Sequence, residues 1–328
     1  MRYNFWWKAC VFGFLAATIL QMANAAQADA SSPRSGPIAF SQSITAGDAT
    51  LQIDFVEGAL DLPRSQVVQR IRTAAHAVAV YYGRFPVSRA RIVVIPVAGR
   101  HGVLQGTTWG NRDGFPAFLR LRIGQSTTAE ELSGDWIITH ELVHTALASL
   151  PDDQHWLEEG LASYIEPIAR VQAGEITAER IWADMVRGMP NGEPGAGDRG
   201  LNNTHSWGRT YWGGALFCLM ADIQIRRETG NRRGLQDALR AIVAAGGTID
   251  KDWPLPRILG IGDRATGTHV LGEMYGRWSD APVSVDLPEL WKQLGVHEEN
   301  ATITFDPKAP SSEIRTAITD SPKHNTIR

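Results

Sequence analysis

The chain has 328 residues, with 32 lysines and arginines against 35 acids, a formal charge of −3, and 43% hydrophobic residues beside 20% charged ones. That is room for one large domain or two moderate ones with a real apolar core. With no long basic block in the sequence, this balance excludes a nucleic-acid partner.

Residues 1–25 read as a secretory signal. Arg2 and Lys8 give a positive start, "ACVFGFLAATILQM" is an apolar run too short for a comfortable membrane span, and "ANA" before Ala26 is a small-residue cleavage site. "AQA", ending at Ala28, is a second cleavage candidate. Cleavage after Ala25 removes two cations and no acids, which takes the formal charge from −3 to −5. It also leaves Cys218 as the one cysteine, so no internal disulfide can form. An exported chain held together by its core alone suits a bacterial periplasm, with no stable membrane insertion once the signal is gone. Cys218, inside "ALFCLMADI", reads as a small buried hydrophobe.

Residues 26–37, "AQADASSPRSGP", form an Ala/Ser/Pro-rich lead with the composition of disorder. Residues 38–124 mix strand and helix. "ATLQIDFVEG" alternates like a strand, and "PRSQVVQRIRTAAHAVAVYYGRF" opens a helix at proline with apolar residues at helical spacing. "ARIVVIPVAG" is a short β-branched run, and "FPAFLRLRIG" alternates again. Between these two, "GRHGVLQGTTWGNRDG" is a polar, glycine-rich loop leading onto an edge strand.

Over residues 125–300 the pattern turns helical. Helices are expected at 129–150, 157–172, 177–188, 209–229, 233–245, 263–278 and 286–294. The loop 187–206, "RGMPNGEPGAGDRGLNNTHS", has the length at which loops in compact domains carry function. Residues 301–328 read as a strand, a short helix and a tail. A small sheet followed by many helices is an α+β arrangement.

The chemistry is concentrated in "WIITHELVHTALASLP", residues 136–151. A helix advances about 100° per residue, so His140 and His144 share one face and both imidazoles can reach one metal ion. Glu141 points beside that metal, where it can hold a water rather than ligate, which is why His-Glu-x-x-His marks metal hydrolases. A catalytic zinc takes three protein ligands plus water, so a third must come from elsewhere. The metzincin pattern would need a glycine and a histidine at positions 147 and 150, and these are Leu147 and Leu150. His155 falls in the turn after Pro151. Beyond it, "HWLEEGLASYIE" at 155–166 is a second helix with acids at its start.

His-Glu-Leu-Val-His followed by "WLEEGLASY" resembles the gluzincins, the glutamate zincins whose aminopeptidase members read W-L-N-E-G-F-A-S-Y. The likeness implies one zinc ion held by His140, His144 and Glu159, with Glu141 as general base. Glu158 stands where many members have asparagine, and the spacing from His144 to Glu159 is shorter than in the large aminopeptidases. "SWGRTYWGGALFCLMADIQIRRETG" resembles the Tyr-x-x-Gly-Ala region of these enzymes. That match implies Tyr211, on a helix beginning near residue 209, as the donor that stabilises the oxyanion. The nearest branch is the glycyl aminopeptidases and their peptidase-like relatives, and the likeness runs from about residue 90 to 245.

The implied fold is zincin-like, a small mixed sheet with an edge strand before a mostly helical part that carries the motif helix. The implied substrate is a peptide or protein. One departure bears on specificity. Large aminopeptidases carry G-x-M-E-N on the edge strand, where the glutamate binds a free amino terminus; here "GTTWGN" at 106–111 has no acid. Amino- versus endopeptidase action therefore stays open. Glu158 for a substrate amine, His205 for the oxyanion and Trp109 for a cleft wall are the candidate substrate contacts. The rival reading is a cell-envelope binding protein that keeps the scaffold without turnover, against which stands the intact Glu141.

Overall fold

A computed structural model describes residues 36–300 and 302–320. The signal sequence, nearly all of the lead and the end of the tail lie outside the described residues. Strand β1 (Ile38–Ala46) pairs antiparallel with β2 (Ala49–Val56), which runs parallel to β3 (Arg89–Val97). β4 (Val103–Arg112) and β5 (Phe115–Gly124) form an antiparallel hairpin, and β5 runs parallel to β3. The order β1-β2-β3-β5-β4 leaves β4 at one edge of a five-stranded sheet.

Period-two alternation builds the sheet's buried face. Leu51, Ile53 and Phe55 on β2 point into the core with Ile92 and Val94 of β3 and Leu119 and Leu121 of β5. The opposite face carries a small separate cluster of Val56, Val93 and Phe118, against which Trp109 packs. The β2–β3 connection is helix α1 (Arg64–Tyr82), entered through Pro63 and ended by Gly83 in the left-handed conformation. Its apolar positions Val67, Ile71, Ala74 and Val78 join the main core.

Two strands depart from the sequence reading. β1 has almost no apolar alternation and is largely exposed, so its conformation comes from pairing with β2 rather than from its own pattern. β4 occupies ten residues of the expected glycine-rich loop. Its glycines serve close approach rather than turning. A Cβ on Gly110 would strike the backbone carbonyl of Ile249, and one on Gly106 would strike the Glu141 side chain.

The expected helix over 129–150 is two. α2 (Ala129–Gly134) ends at Asp135, whose extended backbone stops the first helix and whose carboxylate starts the next. That carboxylate accepts the N–H groups of Ile137 and Ile138 at 3.1 and 2.9 Å, opening α3 (Ile137–Val143). α3 tightens into a 3-10 turn at His144–Ala146 and stops at the extended Leu147. α4 (His155–Gln172) and α5 (Ala178–Gly188) follow. A π-helical turn over Gly208–Gly213 leads into α6 (Gly214–Glu228), which buries Cys218, and then α7 (Leu235–Ala244). The expected helix at 263–278 is also two, α8 (Leu255–Thr266) and α9 (Val270–Trp278), parted by the left-handed Gly267. α10 (Leu287–Leu294), the hairpin β6 (Val296–Glu299) and β7 (Thr302–Phe305), and α11 (Ser312–Thr319) complete the described chain. No helix among the described residues is long and apolar enough to cross a membrane.

α4 and α6 meet backbone to backbone where Gly160 faces Gly214, and a Cβ on either glycine would overlap the other helix. Farther along the same pair, the Tyr164 hydroxyl donates to Asp222 at 2.9 Å, and Asp222 also accepts from Arg226 and from the Leu235 N–H. Gly160→Ala leaves rigid backbone with no room to yield, so unfolding by denaturant should show a loss of about 2–3 kcal/mol. Gly195→Ala, in open space at an ordinary backbone angle, should stay within about 0.5 kcal/mol of wild type.

Candidate metal centre

The motif helix α3 is only two turns long and could not stand alone, so its fixing comes from behind. Arg70 of α1 donates to the Asp135 carbonyl at 2.7 Å and to the Thr139 hydroxyl at 3.1 Å. On α4, Arg170 pairs with Glu166 at 2.8 Å, and both arginines reach Glu175 at 3.4 Å. These side chains are buried or nearly so, which makes the set a charge network under the site rather than a surface decoration. Glu166 lies seven residues after Glu159, on the same helix face, close enough for its charge to act on His140. Nδ1 of His140 is buried with no hydrogen-bond partner among the described residues, so Glu166 acts on it through its field alone.

His140 ends the first turn of α3 and His144 opens the 3-10 turn, with ring centroids 4.9 Å apart and planes nearly perpendicular. Glu159 comes from the start of α4. Its Oε2 lies 3.1 Å from His140 Nε2 and 3.7 Å from His144 Nε2. One ligand atom from each of the three residues falls within 4.8 Å of the other two. Burial works against charge on all three, and the balance then differs by residue. It pulls His144 down to about 4, so that ring is neutral with a free lone pair at pH 7. Burial would raise Glu159, but His144 and His140 hold its carboxyl well below the usual range. For His140 burial opposes protonation, yet the hydrogen bond and charge of Glu159 lift it above its ordinary value.

Glu141 stands beside this cluster, 8% exposed. Thr108 of β4 donates its hydroxyl to Glu141 Oε2 at 2.7 Å and sits 2.9 Å from the Glu141 carbonyl oxygen. Burial pushes the carboxyl up to about 7, although His140 and the Thr108 bond hold it back, and the Glu159 charge adds to the rise. A buried carboxyl poised near neutrality next to a ligand cluster is a proton acceptor in waiting.

The fourth wall is the π-helical turn. Tyr211 stacks on His140 with centroids 6.3 Å apart and on Trp207 at the same distance, and the Glu159 carboxylate is close enough to act on its hydroxyl. Burial, then the charges of Glu159 and Glu141, push the phenol well above its ordinary value, so it remains a donor at any physiological pH. The turn is anchored by Arg209, which pairs with the buried Asp198 at 2.8 Å and donates to the Gly192 carbonyl. The long 187–206 loop is therefore a strap under Tyr211, and its Asn202 accepts from Trp156 of α4 at 2.8 Å.

No family model matches the sequence, and no curated protein matches it. Among solved structures, an aminopeptidase N family protein from Idiomarina loihiensis superposes with a TM-score of 0.58 at 14% identity, over 83% of this chain and 53% of that one. The fold is zincin-like. An M1 zinc metallopeptidase from Deinococcus radiodurans aligns more loosely, with a TM-score of 0.47 at 15% identity, over 75% of this chain and 52% of that one. The chain spans about half the length of these structures.

Within this zincin-like frame the donor set fits a zinc ion. Two imidazole nitrogens and one carboxylate oxygen converge, two of the three groups are already deprotonated, and Glu141 and Tyr211 flank the cluster. One candidate substrate contact is corrected. Trp109 points to the far side of the sheet, against Phe118 and under Arg112, because residue 109 alternates with the site-facing Thr108. Glu158 accepts the Leu150 N–H with one oxygen and meets His155 Nδ1 with the other, both at 2.9 Å. His205 is exposed just before the π segment. His155, expected in a turn, is the first residue of α4 and touches both Glu158 and Glu159. Thr108 and Glu166 were missed. A helix-face count from Glu159 finds Glu166, whereas nothing in the sequence reveals that β4 lies against α3.

Zinc titration of chelator-treated protein should load about one equivalent and raise the melting temperature, since a ligand at a thousand times its Kd adds about 4 kcal/mol to stability. Glu159→Gln and His144→Ala should abolish that shift. Metal analysis finding under about a tenth of an equivalent on the wild type would refute the site.

Proposed function

We propose that the chain is a zinc-dependent peptidase. The observation that carries this reading is the placement of Glu141, a buried carboxyl held by Thr108 between the His140/His144/Glu159 cluster and the edge strand. A metal site meant only to hold a fold or bind a ligand has no use for such a base. Bound zinc supplies a Lewis acid that acidifies water and polarises a carbonyl. Glu141 takes the proton from the attacking water and later gives it to the leaving amine. Tyr211, its phenol kept protonated by burial and by the Glu159 and Glu141 charges, donates its hydrogen to the carbonyl oxygen as negative charge builds there. Thr108 keeps Glu141 aimed while the proton is held.

β4 is the edge strand beside this base, so among the described residues one side of its backbone ladder has no partner strand, and it can pair with an extended peptide. Val103–Arg112 contains no acid to clamp a free amino terminus, which favours an internal stretch of peptide as the substrate. The work is done in the periplasm, reached through the amino-terminal signal.

Digestion of a mixed peptide library tests the reading. Wild type should cleave; Glu141→Gln should lose cleavage by at least about a thousandfold with its metal intact, and equal cleavage by both proteins would refute the mechanism. Tyr211→Phe should lower kcat by about two to three orders of magnitude with KM near wild type, the cost of losing one oxyanion donor. For export, amino-terminal sequencing of the mature protein should start at Ala26 or Asp29, and retention of Met1 would contradict it.

A further inference from the structure

The charge of the chain is unevenly placed. Residues 89–124, which carry β3, β4 and β5, hold six arginines and one acid, which leaves 26 cations against 34 acids for the rest. Alternation puts Arg91, Arg120 and Arg122 on the sheet face away from the main core, and Arg112, beside the β4–β5 turn, folds back onto the same face. Arg112 lies 4.4 Å from the Trp109 ring centre and 5.1 Å from that of Phe118, and Arg120 lies 5.1 Å from Trp109. Arg91 is matched by Asp54 at 2.7 Å and Asp113 at 3.1 Å. Arg112 and Arg122 are exposed, and among the described residues neither meets an acid; Arg122 reaches the Gln105 amide oxygen at 3.4 Å. We infer that this face docks acidic side chains of the peptide that pairs with β4. The inference rests on the zinc-peptidase reading and names its substrate class, an internal peptide with an aspartate or glutamate near the cleaved bond.

One strand serves both sides of the sheet. Thr108 of β4 faces Glu141, whereas Thr107 and Trp109 on either side of it share the face of the arginines. A peptide laid along β4 alternates in the same way, so a residue presented to Glu141 has neighbours whose side chains overlie that outer face. Cross-strand partners stand about 5 Å apart at Cβ, within the reach of an arginine from β4 or β5. Trp109 supplies the platform, and the contact with substrate belongs to the cations. A guanidinium flat on a ring keeps its N–H edge for a carboxylate, which it grips in a forked pair. Shielding the apolar cluster around Phe118 needs no charge at all. Charge nevertheless gathers here at a cost: burial, and then the neighbouring Arg122, pull the Arg120 guanidinium below its ordinary value. A flat bilayer would meet the same cations, but the edge position of β4 beside Glu141 favours an extended chain.

Product sequencing of a library digest by the wild type should show Asp and Glu enriched at one position within about two residues of the cleaved bond. A peptide with glutamate there should have a kcat/KM about fivefold above its glutamine twin at low salt, the scale of an exposed ion pair, and the gap should close at about 1 M salt. Arg112→Gln combined with Arg122→Gln should bring the glutamate peptide down to its twin, whereas Arg112→Lys with Arg122→Lys keeps both charges and should retain a preference. Binding gives a readout apart from turnover: Glu141→Gln should hold a fluorescent glutamate peptide about fivefold more tightly than the glutamine one. Cleavage by the wild type without acid preference overturns this inference alone, and sedimentation with phosphatidylglycerol but not phosphatidylcholine vesicles would then assign the face to a bilayer. A double glutamine variant that keeps the full preference also overturns it. A wild type that cleaves no peptide overturns the peptidase reading and this inference with it.

Discussion

The contact between Gly160 and Gly214 sets the width of the site. Glu159 precedes one glycine and Tyr211 stands three positions before the other, so the distance between ligand and phenol is fixed by how closely α4 and α6 cross. Because the helices touch through backbone, that distance does not depend on side-chain repacking. The nearness of Tyr211 to Glu159 and its stacking on His140 both follow from this one approach. The π-helical turn adds the last adjustment, since a turn with one extra residue rotates Tyr211 relative to the regular α6 that follows.

Behind the ligands the molecule buries charge. Arg70, Arg170, Asp135, Glu166 and Glu175 form a network whose desolvation is expensive, and apolar residues of similar size would serve the core at least as well. Its value is geometric. α3 has too few residues to hold its own orientation, and directional bonds to Asp135 and Thr139 fix both its start and its rotation. From the same network the Glu166 charge reaches His140 and adds to the rise that Glu159 and Glu141 produce there.

Much of this was legible in the sequence where the pattern is local. β2, β3, β5, α1 and α4 follow from alternation or helical spacing, and the convergence of His140, His144 and Glu159 follows from one motif and one resemblance. The failures share a cause. β1, β4, Thr108 and the direction of Trp109 depend on which strand lies against which helix, and no periodicity encodes that. Glycine misled most: Gly106 and Gly110 look like turn formers, yet they sit in a strand because another element comes too close for a side chain. Asp135 misled in the opposite sense, breaking a helix that apolar spacing alone would continue.

The overlap between Gly106 and Glu141 has a consequence for how this scaffold can diverge. A methyl group at 106 would fall on the Glu141 side chain, so the two positions are bound by steric necessity across a strand–helix contact. A side chain at 106 therefore requires Glu141 to move aside. Shortening residue 141 frees the strand to take a β-branched side chain, which its extended backbone prefers. Positions 106 and 141 are thus coupled partners, and a change at one constrains what the other can hold.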